Sequence, residues 1–212
     1  ALGELDAAGS EPLLIRGEGD AFSAGLHLKE LAGLDGPGRE RYLELFDRLI
    51  VKLIAHPAPT VACVHGHAIA GGAVIALTAD LRIMSSKPKV RMGLNEVAIG
   101  LAFPPRVLKL ARARLGPRNE RRVLLEAGLD DPAQALGLGL VDELADEPLV
   151  ASRSALGGLA RHDAEVYAQT KRAFVTDLMV LSQEEIARYR EEVLPRWRDP
   201  ALGAKLLAIL GR

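Results

Sequence analysis

The chain has 212 residues, 49% of them hydrophobic and 26% charged, which is ordinary globular composition and long enough for one core with an appendage. Its formal charge of -1 argues against a protein that tracks nucleic acid or an anionic membrane, and no uninterrupted apolar stretch approaches a membrane span. The single cysteine, Cys63, sits in the apolar run Val61-Ala62-Cys63-Val64 and has no partner for an internal disulfide, so a reducing compartment fits and a cytoplasmic location is expected.

The opening residues Ala1-Leu2-Gly3-Glu4-Leu5 read as the tail of a helix, so a segment upstream of Ala1 is expected. Leu13-Leu14-Ile15-Arg16 is a short apolar run closed by Gly17 and reads as a buried strand. Residues 33–38, with Asp35 and Pro37, have turn composition and are the best candidate for a mobile loop. A helix is predicted over residues 39–55, where Phe46, Leu49, Ile50, Leu53 and Ile54 recur at helical spacing before His56-Pro57 stops it. Val61-Ala62-Cys63-Val64 and Leu81-Arg82-Ile83-Met84 read as two more strands. Continuous apolar runs suit strands covered on both faces, as in a parallel sheet, and alternation of strands with helices indicates an α/β fold.

The second half differs. Asp131-Pro132-Ala133-Gln134, Ser182-Gln183-Glu184-Glu185 and Asp199-Pro200 are three helix-start signals. No convincing strand follows Val141, so the C-terminal third is expected to be helical. The division predicted is an α/β core over residues 1–145 and a helical region over 146–212. Neither a low-complexity tract nor a clear internal repeat stands out.

Three stretches carry candidate chemistry. Ala21-Phe22-Ser23-Ala24-Gly25-Leu26-His27-Leu28-Lys29 leaves the first strand, and its small residues would let a ligand approach the backbone, although a glycine there also makes a plain turn. His65-Gly66-His67-Ala68-Ile69-Ala70-Gly71-Gly72-Ala73-Val74 runs from strand through turn to an apolar helix. The first N–H groups of a helix lack internal partners, so a helix opening at Gly71-Gly72 can hold a developing oxyanion; close helix–sheet packing would equally require glycine. In Met92-Gly93-Leu94-Asn95-Glu96-Val97-Ala98-Ile99-Gly100-Leu101, Glu96 is a lone carboxylate among apolar residues. Burial there would raise its pKa toward the range of a general acid/base, whereas an exposed loop would leave it ordinary.

In order and spacing these stretches resemble the crotonase (enoyl-CoA hydratase/isomerase) superfamily. The resemblance implies a spiral core of strand-strand-helix units with a C-terminal helical trimerisation region. It also implies an acyl-CoA thioester substrate, CoA being part of that substrate with no separate cofactor, and assembly as a homotrimer or hexamer. Phe22-Ser23-Ala24-Gly25-Leu26 is similar to the family's first oxyanion segment, which gives the N–H of Leu26 a role. Ala70-Gly71-Gly72 is similar to its glycine turn, which gives one to Gly71. Ala135-Leu136-Gly137-Leu138-Gly139-Leu140-Val141-Asp142-Glu143 looks like the segment leading into the C-terminal helices. The family's opening strand–turn–helix region, which contributes to CoA binding, would lie before Ala1. Substrate-binding positions are expected at Ala24, Leu26, His27, Leu28, Lys29, His67, Gly71, Val74 and Gly100.

Two departures bear on the reaction. Hydratases of that family carry two glutamates; Glu96 matches the second, but the first position is Val74, and His27 stands where many members have Asp. Gly93-Leu94-Asn95-Glu96 instead looks like the mitochondrial-type delta-3, delta-2 enoyl-CoA isomerases, which use one glutamate. The expected activity is therefore isomerisation. The alternatives are a hydratase of altered mechanism, a thioesterase or decarboxylase, and a catalytically weak acyl-CoA- or RNA-binding relative. His65-x-His67 lacks a third ligand, so no metal is expected. Arg112, Arg114, Arg118, Arg121 and Arg122 are read as a solvated face or subunit contact. Trp197, Leu202, Leu206 and Leu207 are expected to need a partner surface.

Overall fold

The computed structural model describes residues 9–211, so the helix tail expected at residues 1–5 lies outside it. The strands are β1 (Leu13–Ile15), β2 (Thr60–Val64), β3 (Ala68–Ile69), β4 (Leu81–Ser85), β5 (Met92–Gly93) and β6 (Glu143–Ala145). One parallel sheet runs β1-β2-β4-β6, and β3 pairs with β5 in a second, also parallel. Every residue of β2 is buried, which explains its unbroken apolar run. Ala62 and Val64 enter the main core with Ile54 and Leu77, while Cys63, on the opposite face, meets Ser152.

The chain visits the two sheets in turn. β2 leads to β3 and then to a helix, and β4 leads to β5 and then to a helix. Ser23 after β1 bridges to Ala68, and Asp130 bridges to Met92, extending the small sheet at both edges. This is the strand-strand-helix spiral that the resemblance implies. The repeat is one of pairing geometry rather than of residues, so no repeat is visible in the sequence.

Helices α1 (Leu28–Gly33), α2 (Gly36–Ala55), α3 (Gly71–Thr78) and α4 (Pro105–Glu126) follow in order. Residues 36–38 correct the mobile-loop expectation. Asp35 caps α2, its Oδ1 accepting from Gly38 N at 2.7 Å with Pro37 in the first turn, which is a helix start and not a loop. α4 is broken at Gly116, whose φ of 68° and ψ of 167° are not helical, and Pro117 restarts it. Three of the five arginines of its basic stretch are used within the chain: Arg114 donates to Leu77 O and Ala79 O, Arg112 pairs with Glu120, and Arg122 reaches Asp130, while Arg118 and Arg121 are exposed.

β6 is a second correction, because a strand does follow Val141. It is a short edge strand with Glu143 exposed, too brief and too polar to show a pattern. Its register is set from outside: Asp142 accepts from Arg82 Nε at 2.9 Å and Nη2 at 2.6 Å, pinning the strand's start beside β4.

Beyond β6 the chain is helical: α5 (Pro132–Leu138) lies before it, then come α6 (Pro148–Leu159), α7 (Ala164–Met179), α8 (Gln183–Arg188), a π-helical turn (Tyr189–Val193), α9 (Leu194–Arg198) and α10 (Leu202–Leu210). Reciprocal capping boxes start α5 at Asp131/Gln134 and α8 at Ser182/Glu185. Asp199 starts α10 slightly later than read, its carbonyl accepting from Leu202 N at 2.9 Å. No described helix is long and apolar enough to cross a membrane.

The apolar residues of this tail correct a third expectation. Trp197, Leu202 and Leu206 are buried within the same chain against Leu31, Leu43 and Leu101, whereas Leu207 stays exposed. Trp197 Nε1 donates to Ala102 O at 3.2 Å, and Arg39 ties α1 to the tail through Leu31 O and Asp199 O. Trp197→Ala should therefore cost about 3–5 kcal/mol of stability. Urea denaturation measures this, and a cost under about 1 kcal/mol, the size of a surface change, would mean that the tail is not docked.

Candidate active site

The site begins where two turns touch. Gly25 has φ of 96°, a conformation that costs other residues, and a Cβ there would lie 2.9 Å from Ile69 O and 3.1 Å from Gly71 N. Its N–H donates to Ser23 Oγ at 3.2 Å, which holds the bend and leaves Leu26 next to the start of α3. On the other side Ala70 takes φ of 50°, a strained region for a non-glycine residue, and Gly71 opens α3. Leu26 N stands 3.4 Å from where a Gly71 Cβ would be. Among the described residues neither the Leu26 nor the Gly71 N–H has an acceptor. Two free backbone donors thus lie side by side at a helix N-terminus.

Beside them is an apolar cavity of about 130 Å³. Ala24, Leu26, Leu28, Gly71, Val74 and Glu96 line it, so six of the ten predicted site residues come together. Glu96 precedes the 3-10 turn Val97–Ile99, and its carbonyl accepts from Ile99 N and Leu101 N, which fixes the backbone from which the side chain projects. The residue is only 9% exposed, and its Oε2 is buried without a hydrogen-bond partner. Burial pushes its pKa up to about 7, against a small opposing effect of its own backbone N–H. The neighbouring Asn95 also lines the cavity, with its Oδ1 buried and unpaired.

The other four predicted residues are elsewhere. His27 caps α1, its exposed ring accepting from Glu30 N at 3.1 Å. Lys29 is exposed on α1, because the turn that points Leu28 and Leu31 inward points residue 29 away. His67 is exposed and accepts from Arg91 N at 3.1 Å, and it does not line this cavity. Gly100 is exposed too, closing the 3-10 turn in a left-handed conformation. The His65 ring lies within hydrogen-bond distance of two carbonyl oxygens, Cys63 O and Gly19 O, one of which its N–H can reach as donor.

Trp197 and Ile209 are site residues that sequence reasoning missed. They line the cavity from α9 and α10, as do Phe46 of α2 and Leu101. The apolar signal at Trp197 is visible in the sequence, but it does not tell a neighbour in the same chain from another subunit. The assembled site is a largely apolar chamber with one carboxyl whose pKa lies near neutral pH and two free donors beside it. That arrangement suits proton transfer next to a carbonyl whose oxygen gains charge.

A family model described as enoyl-CoA hydratase/isomerase matches residues 10–196. Over 133 residues the chain is 34% identical to the Mus musculus protein "Enoyl-CoA delta isomerase 1, mitochondrial", covering 63% of this chain and 46% of that one. The chain spans about half the length of the mammalian relatives it matches. The human mitochondrial delta3-delta2-enoyl-CoA isomerase superimposes with a TM-score of 0.88 at 22% identity, over 100% of this chain and 84% of that one, and so shares the fold. The enoyl-CoA hydratase EchA3 from Mycobacterium ulcerans Agy99 superimposes with a TM-score of 0.78 at 25% identity, over 96% and 86% of the two chains.

Proposed function

The chain belongs to the enoyl-CoA hydratase/isomerase family, and from that premise we propose that it shifts the double bond of enoyl-CoA thioesters from the delta-3 to the delta-2 position, with Glu96 as its single proton carrier. One observation carries this reading: the Glu96 carboxyl is buried in an apolar cavity with its Oε2 unpartnered, and burial pushes its pKa up to about 7. Such a group is basic enough to take a proton and acidic enough to return it.

The Glu96 carboxylate removes a proton from C2, and the C–H electron pair passes into the thioester carbonyl, making a dienolate. Its oxygen is held by the N–H groups of Leu26 and Gly71. Return of the proton to C4 draws the electrons back and leaves the double bond between C2 and C3. A thioester α-proton is too weakly acidic for a carboxylate alone, so the two donors must stabilise the charge as it forms. Incubation with 3-enoyl-CoA and with 2-enoyl-CoA separately, with the products identified, tests the reading. Hydration of the 2-enoyl substrate at a rate matching isomerisation would overturn it.

Val74 is the reason for preferring isomerisation. It lines the same cavity as Glu96, so the position that could hold a second carboxylate is apolar. A valine neither positions nor activates water, and a dry cavity protects the dienolate. Val74→Glu should gain measurable formation of 3-hydroxyacyl-CoA from 2-enoyl-CoA while losing stability, since the new carboxyl is buried without a partner. A folded variant that makes no hydroxyacyl product would show that Val74 does not decide the reaction. The Asn95 amide favours hydration as a second reading, because an unpaired polar group in the cavity could hold one water near Glu96.

A further inference from the structure

Glu96 moves the proton and the N–H groups of Leu26 and Gly71 hold the oxygen, but Asn95 has no part in either step. Of the side chains lining the cavity, only Glu96 and Asn95 carry polar atoms free to bond a ligand, because the indole N–H of Trp197 is already spent on Ala102 O. The Asn95 Oδ1 is buried and has no hydrogen-bond partner among the described residues. Such an atom costs the folded state stability that an apolar side chain of the same shape would not. The backbone around it is held on both sides. β5 ends at Gly93, paired with β3, and the Glu96 carbonyl accepts from Ile99 N at 3.1 Å and Leu101 N at 2.9 Å. A plain hydrocarbon chain gains nothing from an amide, so the position calls for a partner carried by the ligand.

We propose that Asn95 recognises a hydroxyl on the acyl chain, so that the thioesters this site prefers are hydroxylated just beyond the reacting carbons. The inference rests on the acyl-CoA reading above. Charge selects the hydroxyl. A carboxylate would be repelled by ionised Glu96, and an ammonium would pair with Glu96 and take away the base. A hydroxyl is neutral and both donates and accepts, so it satisfies the amide in either orientation. Its place on the chain follows from the reaction. The thioester oxygen is fixed at Leu26 and Gly71, and Glu96 works at C2 and C4. Asn95 is the next residue to Glu96, its Cα about 3.8 Å away, which sets the hydroxyl at C5 or C6.

Calorimetric binding of saturated acyl-CoAs of equal length, unsubstituted or with one hydroxyl at C5 or C6, tests this without turnover. The hydroxyl should tighten binding to the unmodified protein about tenfold. In Asn95→Leu that preference should vanish or reverse, while the Tm of the free protein rises by about 2–4 °C, because an unpartnered polar atom gives way to an apolar group of similar size. The ratio of kcat/KM for 5-hydroxy-3-enoyl-CoA over 3-enoyl-CoA should follow the binding ratio in both proteins. Equal binding of the two ligands by the unmodified protein overturns the inference, and this arm needs no variant. So does a preference that survives in Asn95→Leu. A fall in Tm with equal loss of affinity for both ligands would mark Asn95 as a support for the fold and overturn it too. Hydration of 2-enoyl-CoA that disappears in Asn95→Leu, with no hydroxyl preference in the unmodified protein, would assign the amide to water instead. A hydroxyl preference in a protein that isomerises neither substrate would uphold this inference and sink the isomerase reading.

Discussion

Glu96→Gln is expected to lower isomerase turnover by at least a thousandfold, to leave binding of a saturated acyl-CoA within a few-fold, and to stabilise the fold above pH 7. The substitution keeps the shape of the side chain and removes the base, so it deletes an interaction made only in the reaction, not in the ground state. In the unmodified protein kcat/KM should fall as pH drops below about 7, where Glu96 becomes protonated and is no longer a base.

The stability effect has a definite sign. The carboxyl titrates near 4.5 when unfolded and near about 7 when folded, so between those values the folded state holds a proton that the unfolded state has lost. Stability from this group is therefore full below pH 4.5, falls through that window, and stays reduced above it. The difference amounts to about 3 kcal/mol at alkaline pH. Subtracting the denaturation curves of variant and parent at pH 5 and pH 8 isolates it from every other titration. Turnover that survives the substitution would remove Glu96 as the acid/base. A stability difference independent of pH would show that its carboxyl is not held in a desolvated state.

Gly72→Ala should reduce kcat/KM by about a hundred- to a thousandfold, the loss seen when an oxyanion donor is misplaced. A Cβ on residue 72 would stand 2.2 Å from Ser23 O and 2.8 Å from Ser23 C, both backbone atoms that cannot rotate away. The two turns must then part, and the bond from Ile69 N to Ser23 O at 2.9 Å stretches or breaks. Leu26 and Gly71 sit on those two turns, so separating them pulls one donor off the substrate oxygen while Glu96 stays in place. Gly157→Ala is the control. It adds the same methyl on α6, where nothing lies within 4 Å, and should stabilise by up to about 1 kcal/mol with activity unchanged. Full activity in a folded Gly72→Ala protein would mean that the spacing of these turns does not set the reaction rate.

What the sequence determined is what neighbours within a few residues can encode. Thr60–Val64 had to be a doubly covered strand because every residue of its core run is apolar, and Asp131 and Ser182 had to start helices because their side chains cap donors three residues on. The order of the Gly25, Gly71 and Glu96 stretches likewise carried the family resemblance and most of the cavity. At Asp35 the same local signal was present but was outweighed by two flanking glycines, and the short edge strand Glu143–Ala145 had no local signal at all. Tertiary structure alone decided which surfaces meet. His27 and Lys29 share a turn with Leu28, yet helix geometry sends only the leucine into the cavity. Trp197 looked like a residue awaiting another subunit, and it covers its own chain's site, bonded to a carbonyl 95 residues away. The Glu96 pKa belongs with these: a glutamate is ordinary until residues from α2, α9 and α10 close over it and exclude water, and that desolvation is a property of the packed assembly rather than of any segment.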